Sequence, residues 1–152
     1  MRIYCSMIET KLLYALSCCC FTVAQQRRLN GFRAKCIRQV VGIKPSYMSR
    51  ISNKEVLRRA NHVAASALHV QTQLQLLGKV LRAPATSQLH KAALVPGTLQ
   101  PSSSEFIRKV GRPRREWATT ALGEALRQTH GPRTLLSLAS DHKGWKEAMK
   151  IC

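Results

Sequence analysis

Apolar residues recur at helical spacing along most of the chain, and the first clear run lies between residues 24 and 41. One face of that run is apolar: Leu29, Phe32, Cys36 and Val40. This spacing predicts a helix buried along that face, and Gly42 follows as a C-terminal stop, since glycine readily adopts the left-handed backbone that ends helices. The uncharged residues 12–24 before it are too few to span a bilayer. They resemble a signal-peptide core, but the charged Glu9 and Lys11 before them and the absence of a clear A-x-A site favour an apolar helix whose upstream portion has been lost.

A second helical region begins where Ser52 and Glu55 have the spacing of a capping box, in which each side chain accepts a hydrogen bond from the other residue's backbone N–H. Apolar residues then recur at steps of four and three: Val56, Ala60, Val63, Ala67, Val70, Leu74, Leu77 and Leu81. This pattern fits one long helix or two helices broken near Asn61, and it offers residues 56–81 as a surface for weak self-association. The glutamines along it are expected to be solvated: Gln71, Gln73 and Gln75.

Periodicity is lost over residues 83–106, where three prolines and a run of serines predict a linker, although a short turn could dock within it. A further helix is expected to begin near Trp117 and to end near Gly131, before two short helices. The chain is therefore predicted to be all-α, an irregular bundle of about five to six helices in two lobes: a basic helical region at 1–82, the linker, and C-terminal helices at 107–152.

Charge implies a polyanionic partner for this helical protein. The chain has 25 basic and 7 acidic residues, a formal net charge of +18, and such self-repulsion implies a use for the charge. The basic residues are concentrated towards the two ends, and no acid lies between Thr10 and Lys54. Aromatic residues make up only 5% of the chain, so the core is expected to be aliphatic, which favours helices.

The acidic residues argue against an enzyme. Asp141 is the sole Asp and the glutamates are scattered, whereas two-metal polymerases and nucleases need at least two carboxylates converging on their ions. The six cysteines contain no C-x-x-C and lie far from the histidines in sequence. We therefore predict no metal site, no cofactor, and reduced thiols buried as small hydrophobes.

Two groups of cations are candidates for phosphate contacts. The first is a row opposite the apolar face of the first helix: Arg27, Arg28, Lys35 and Arg38. A solvated charged face is the alternative, but such faces usually mix both signs, and here acids are absent. The second group surrounds a Gly-Arg-Pro segment: Arg112, Arg114 and Arg115. An extended basic segment of this kind can enter an A·T-rich minor groove, or it can lead into a helix that packs Trp117.

The order of motifs resembles one protein family. The first part of the chain resembles the thumb and post-palm region of non-LTR (LINE-type) retrotransposon reverse transcriptases at these positions: Leu12, Leu13, Tyr14, Arg28, Leu29, Phe32, Cys36, Ile37, Arg38, Val41, Gly42, Ile43, Arg50, Ile51, Ser52, Asn53, Glu55, Arg58 and Arg59. Residues 76–82 are similar to that family's Leu-Gly-His-hydrophobic-hydrophobic-Arg segment, and residues 111–117 with Trp145 are similar to its Gly-Arg-Pro-x-x-x-Trp and closing Trp. Two positions depart: Tyr14 lacks the usual Gly, acid and Trp after it, and Lys79 stands where His is common.

The resemblance implies a nuclear RNA-directed DNA polymerase as the parent protein, in which a helical thumb grips the template–primer backbone and the tail helps hold RNA or DNA. The family's catalytic Asp pair has no matching positions and would lie before Met1. We therefore expect a truncated product without a membrane segment that binds the backbone of RNA, DNA or both with little sequence preference. Arg58 and Arg59 join the phosphate-contacting cations. Six motif residues are given structural roles: Gly42, Gly78, Gly111, Pro113, Trp117 and Trp145.

Three alternatives stay open. The first is a basic structural or interaction protein of ribosomal or organellar type, which uses residues 56–81 to bind a partner. The second is an enzyme with residual polymerase or endonuclease activity, which metal-dependent extension or cleavage would reveal. The third is a degenerate remnant without function, which would expose apolar surface once covered by a missing half.

Overall fold

The computed structural model of the protein describes four stretches of chain: residues 3–14, 16–102, 111 and 115–150. Within them the protein is all-α, as predicted, and contains no β-strand. The α-helices are α1 (Thr10–Leu13), α2 (Val23–Val41), α3 (Ser46–Ser49), α4 (Asn53–Arg59), α5 (Ala65–Arg82), α6 (Gln88–Ala93), α7 (Trp117–Thr129), α8 (Pro132–Ser140) and α9 (His142–Ala148). They outnumber the five to six predicted, because helices as short as α1, α3 and α6 leave no periodic pattern in the sequence. A π-helical segment, Tyr4–Glu9, leads directly into α1.

Contacts divide the chain into two compact units. The first holds the described residues up to Val70, and the second holds Gln71–Lys150. The division falls inside α5, ahead of the predicted linker at 83–106. Where it is described, that segment is more than a linker, because α6 forms within it and Leu94 is fully buried at the end of α6.

α2 has a specific cap at each end. Thr22 and Gln25 form a complete capping box: Thr22 Oγ1 accepts from the Gln25 backbone N–H at 3.3 Å, and Gln25 Oε1 accepts from the Thr22 N–H at 2.8 Å. Gly42 ends the helix with a φ of 74°, as predicted, and the backbone N–H of Ile43 donates to Arg38 O at 2.9 Å. Periodicity thus predicted both ends of α2 to within one residue.

The buried face of α2 differs from the predicted one. Phe32 and Val40, which the spacing placed in the core, are 47% and 46% exposed. The buried residues are Arg33, Ala34, Ile37 and Arg38. Ile37 packs with Tyr4 and Val56 in a small apolar core. Both arginines have polar partners inside the unit, and a pattern of apolar residues cannot indicate such contacts.

The uncharged residues 12–24 do not form the predicted helix. α1 ends at Leu13, and among the described residues between it and α2 a short 3₁₀ turn, Leu16–Cys18, is the only helical piece. His69 of α5 holds this segment: its Nε2 donates to Leu16 O at 2.8 Å, and its ring centroid lies 4.5 Å from that of Phe21. No helix in the described stretches is both long and apolar enough to cross a membrane.

The five described cysteines are free thiols, and their burial is not the predicted one. Cys18 and Cys19 are exposed, and the other three are only half-buried: Cys5, Cys20 and Cys36. Consecutive side chains in an irregular segment cannot all face inwards. The expectation that the cysteines are buried hydrophobes is therefore wrong.

α4 and α5 are separate helices, which selects one of the two alternatives that the apolar stripe allowed. The break falls at Asn61, whose backbone is left-handed with a φ of 53°, a conformation that asparagine tolerates better than most residues. Leu74 and Leu77 of α5 are fully buried within the second unit, so they are not available to the self-association predicted for 56–81. Gln73 is buried as well, contrary to the expectation of a solvated glutamine face.

The second unit is built on the C-terminal part of α5. His90 of α6 donates from Nδ1 to Val80 O at 3.2 Å, and Arg82 donates to Ala139 O of α8 at 3.2 Å. α7 ends just before Gly131, as predicted, and buries a face of mostly small residues: Ala118, Ala121, Leu122 and Ala125.

Candidate nucleic-acid interface

α2 carries exposed cations. Arg27, Arg28 and Lys35 are all exposed, as phosphate contacts require. Arg28 and Lys35 are two helical turns apart, which places them on one side of the helix, about 10 Å apart along its axis. The sequence-based prediction for these three residues is therefore compatible with their positions.

Both carboxylates in the described part of the first unit are bound by other arginines. Glu9 forms an ion pair with Arg33. Glu55 forms ion pairs with Arg58 and Arg59 at 2.8 Å each. Within this part of the chain, no carboxylate remains to neutralise the exposed cations of α2.

Arg38 does not belong to the exposed row in which it was predicted. It is 5% exposed, and its guanidinium donates hydrogen bonds to the segment after α2. The acceptors are all neutral groups: Lys44 O at 3.2 Å, Ser49 Oγ at 3.3 Å, Asn53 Oδ1 at 3.2 Å, and Ile51 O. The planar donor fork of arginine suits several acceptors at once, so Arg38 is drawn inwards to satisfy the turn that follows its own helix.

Arg58 and Arg59 are exposed, but they share one carboxylate. Arg58 donates from Nε and Nη2 to the two oxygens of Glu55 at 2.8 Å each, and Arg59 Nε donates to Oε1 at 2.8 Å. Hydrogen bonds from Arg58 and then Arg59 lower the pKa of Glu55 to about 2, and the bond to Glu55 raises the pKa of Arg58. The three side chains together carry a single positive charge, so they attract phosphate less than two unpaired arginines would.

The Glu55 carboxylate also determines how much of the predicted capping box forms. Ser52 Oγ accepts from the Glu55 backbone N–H at 3.2 Å, which is one half of the box. The Glu55 side chain binds the two arginines, so only one half of the predicted box is present.

Three further exposed cations follow α2, and helical periodicity did not select them: Lys44, Arg50 and Lys54. Two of the three lie outside helices, so no helical face could have indicated them. The run without acids from Thr10 to Lys54 was the signal available in the sequence. Six exposed cations from α2 onwards take part in no ion pair within the described residues, and we call them the unpaired cations of the first unit: Arg27, Arg28, Lys35, Lys44, Arg50 and Lys54.

The Gly-Arg-Pro segment is described only at its edges. Three of its residues lie outside the described stretches: Arg112, Pro113 and Arg114. Gly111 and Arg115 are exposed. Trp117 begins α7, as predicted, and is half-buried, with its Nε1 buried and without a hydrogen-bond partner among the described residues. Insertion of this segment into a minor groove stays a prediction.

Two residues of the family-like motifs meet in the second unit. Trp145 of α9 is fully buried, and its Nε1 donates to Leu74 O of α5 at 3.0 Å. Its ring lies against Gly78, where an added Cβ would come within 2.8 Å of ring carbons Cδ1 and Cε2. A glycine is required there by the close approach of the indole. Gly78 and Trp145 therefore have a shared packing role, although they lie far apart in the sequence.

A half-buried polar cluster in the first unit was not foreseen, because His62 lies far in the sequence from Cys5 and Glu9. Cys5, Glu9 and His62 bring their ligand atoms within 4.8 Å of one another, a set that can bind a metal ion such as zinc. Arg33 already lies in this cluster, paired with Glu9 and with its Nη2 3.2 Å from His62 Nδ1. A guanidinium has no acceptor, so Nδ1 accepts and Nε2 carries the proton.

This tautomer leaves neither nitrogen of His62 with a lone pair for a metal ion while Arg33 is in place. Burial, and secondarily the hydrogen bond to Glu9, raise the pKa of the Cys5 thiol, which disfavours the thiolate that a metal ion requires. The cluster is therefore better described as an arginine-centred ion pair than as a metal site.

Comparison with known proteins adds no relative. No family model, no curated protein and no solved structure matches this chain. The resemblance to retrotransposon reverse transcriptases therefore depends on the order of motifs in the sequence and stays a prediction.

Proposed function

We propose that the protein binds RNA or DNA through the phosphate backbone, with little sequence preference, by means of the unpaired cations of the first unit. One observation carries the proposal: Arg27, Arg28 and Lys35 are exposed on a single helix, and both carboxylates among the described residues of that unit are bound elsewhere. Cations of this kind bind phosphates by releasing condensed counterions. The net charge of +18 supports the same partner.

We further propose that the chain is a thumb-like and tail region of the non-LTR reverse transcriptase type, which acts in the nucleus and holds nucleic acid without polymerising it. The order of motifs supports this, and so does the packing of Gly78 against Trp145. Asp141, the sole Asp, uses both carboxylate oxygens to cap α9, on the N–H groups of Lys143 at 2.9 Å and Gly144 at 3.0 Å. A primed-template assay with Mg²⁺ or Mn²⁺ is expected to give no extension.

The decisive experiment is fluorescence anisotropy with short DNA, RNA and hybrid duplexes over a series of salt concentrations. The affinity is expected to fall steeply with salt, and the slope of the log–log plot to decrease by about one for each cation removed. The triple variant Arg27→Glu, Arg28→Glu, Lys35→Glu is expected to lose about 100-fold or more in affinity at low salt.

A matched control makes the same change of charge in the second unit, at Lys143, Lys146 and Lys150, which are all exposed. Changing these lysines to Glu is expected to cost much less affinity, because acids lie near them in the sequence. Equal losses in the two triple variants would mean that overall charge, and not α2, determines binding. Binding that does not respond to salt would overturn the proposal.

The alternative of a structural protein that binds a partner through α5 has less support. Its proposed contacts, Leu74 and Leu77, are fully buried in the second unit. Light scattering at increasing concentration distinguishes the two functions, because the nucleic-acid-binding proposal expects a monomer. A stable dimer that Leu74→Lys dissociates into folded monomers would favour the alternative.

A further inference from the structure

A cleft of about 330 Å³ lies in the first unit, between α2 and the segment that follows it. Its lining includes residues from both: Gly31, Lys35 and Arg38 of α2, and Ile43, Ser46 and Asn53 after it. This volume is near the lower end of the range for small-molecule sites, roughly 300–1,000 Å³. The cleft is therefore of a size to receive a single nucleotide rather than a folded segment.

The cleft is positively charged. Of the residues that line it, Lys35 and Arg38 are basic and none is acidic. Arg38 is almost completely buried, yet its four hydrogen-bond acceptors are all neutral, so no anion among the described residues balances its charge. A buried charge without a counter-ion is costly, and an anion in the cleft would lower that cost.

The cleft also offers hydrogen-bond donors. Asn53 accepts from Arg38 through Oδ1 at 3.2 Å, which leaves its side-chain NH₂ to donate. The hydroxyl of Ser46 and the ammonium of Lys35 are further donors for phosphate oxygens. Ile43 and Pro45 line the same cleft and add an apolar wall, which a bare phosphate ion would not use but a base or a sugar would.

We propose that this cleft binds one nucleoside phosphate, with the phosphate on Lys35 and the donors beside it, and the base or sugar against Ile43 and Pro45. The idea that this nucleotide belongs to a bound strand rests on the proposed function. A free mononucleotide has the same chemistry. Because Lys35 also belongs to the unpaired cations of the first unit, the cleft would hold a terminal or unpaired nucleotide next to the strand that those cations bind.

The test fills the cleft without changing any charge. A Cβ added at Gly31 meets no atom within 4 Å, so a larger side chain can enter the open space of the cleft while α2 stays intact. Gly31→Leu is the blocking variant and Gly31→Ala is its matched control, with circular dichroism to establish that both fold. The probes are AMP, the dinucleotide pApA and inorganic phosphate, measured by isothermal titration calorimetry.

The unsubstituted protein is expected to bind AMP more tightly than phosphate. Gly31→Leu is expected to weaken AMP binding by about tenfold or more, because the side chain occupies the ligand's volume, whereas Gly31→Ala leaves most of the affinity. Tighter binding of pApA than of AMP identifies a strand as the source of the nucleotide, and equal binding identifies the free mononucleotide. Absence of AMP and pApA binding, equal binding of AMP and phosphate, or equal affinities of the Leu and Ala variants would each overturn the proposal.

Duplex binding separates this proposal from the function on which it rests. Gly31→Leu keeps every cation and is expected to keep duplex affinity within about twofold, since phosphate contacts dominate that affinity. If the wild-type protein binds AMP but does not bind duplexes, the proposed function is overturned and the proposal for the cleft stands. If the protein binds duplexes in a salt-sensitive way but binds neither AMP nor pApA, the proposal for the cleft is overturned and the proposed function stands.

Discussion

The two units stabilise their interiors by different chemistry. The first buries two arginines, Arg33 and Arg38, beside a small apolar core. The second buries leucines, alanines and Trp145, and among its described residues no arginine, lysine or carboxylate is buried. Its Asp141 instead lies at the surface, where it caps a helix.

This difference shows that the first unit places its positive charges in two environments, buried and exposed. Arg38 is an internal donor that organises the turn after α2, whereas Arg28 and Lys35, on the same helix, face solvent. A count of charges in the sequence treats the three residues as equivalent. Replacement of Arg38 should therefore be measured as a change in stability, and replacement of Arg28 or Lys35 as a change in binding.

The largest expected effect is the loss of Arg38. Arg38→Met keeps much of the volume but leaves buried acceptors of the 44–53 turn unsatisfied, which we expect to cost about 3 kcal/mol in the free energy of unfolding. Arg28→Met is the matched control in α2 and should change stability by less than about 0.5 kcal/mol, because its side chain is exposed. Urea titration followed by circular dichroism measures both. Similar stabilities of the two variants would contradict the internal role of Arg38.

The next largest effect is expected from a Gly→Ala substitution, which we compare between the two units. Gly78→Ala places a Cβ against the indole of Trp145, and we expect such overpacking to destabilise the protein by about 2 kcal/mol. Gly31→Ala meets open space and should stabilise α2 by about 0.5–1 kcal/mol, because alanine is the better helix former. Thermal unfolding gives the sign of each change. A stabilising Gly78→Ala would mean that the indole does not lie against α5.

A smaller effect is expected from the helix caps. Asp141→Ala removes the two hydrogen bonds at the start of α9, and Thr22→Ala removes the cap of α2 in the other unit. Each change should cost about 1 kcal/mol in the free energy of unfolding. Asp141→Asn retains a capping oxygen and should cost less than the alanine variant. Equal losses for Asn and Ala at position 141 would argue against the cap.

The smallest expected effect is the change in stability at acid pH when Glu55 is replaced. The pKa of Glu55 is lowered to about 2 from its ordinary value of 4.5 by its hydrogen bonds to Arg58 and Arg59. A lowered folded-state pKa means that the stabilising contribution is complete above pH 4.5 and is lost as the pH falls through about 2. We expect Glu55→Gln to be slightly less stable at neutral pH, with a difference that disappears over this range. A difference as large at pH 2 as at pH 7 would contradict the ion pairs as its cause.

Much of the fold could be predicted from local signals. Gly42 ends α2 and Asn61 breaks the long apolar stripe, because each adopts a left-handed backbone that few other residues tolerate. Gly131 and Pro132 likewise separate α7 from α8. These features depend on one or two neighbouring residues, so the sequence displays them directly.

The candidate site could be predicted only in part. The exposure of Arg27, Arg28 and Lys35 was predicted from their position opposite the apolar face of the helix, but the burial of Arg38 depends on acceptors in another segment that no helical pattern indicates. The cluster around Arg33 brings together Glu9 and His62, which lie far apart in the sequence. Such contacts are set by tertiary packing, and apolar periodicity contains no information about them.

The hydrogen bond from Trp145 to Leu74 also constrains the order in which the protein matures. The two residues are 71 positions apart, so during translation α5 leaves the ribosome long before the indole that covers Gly78 has been made. Contacts of such long sequence separation form late, and uncovered apolar surface in a nascent chain is prone to aggregation. The second unit can therefore close only after Trp145 has left the ribosome, and until then the face of α5 at Gly78 stays uncovered.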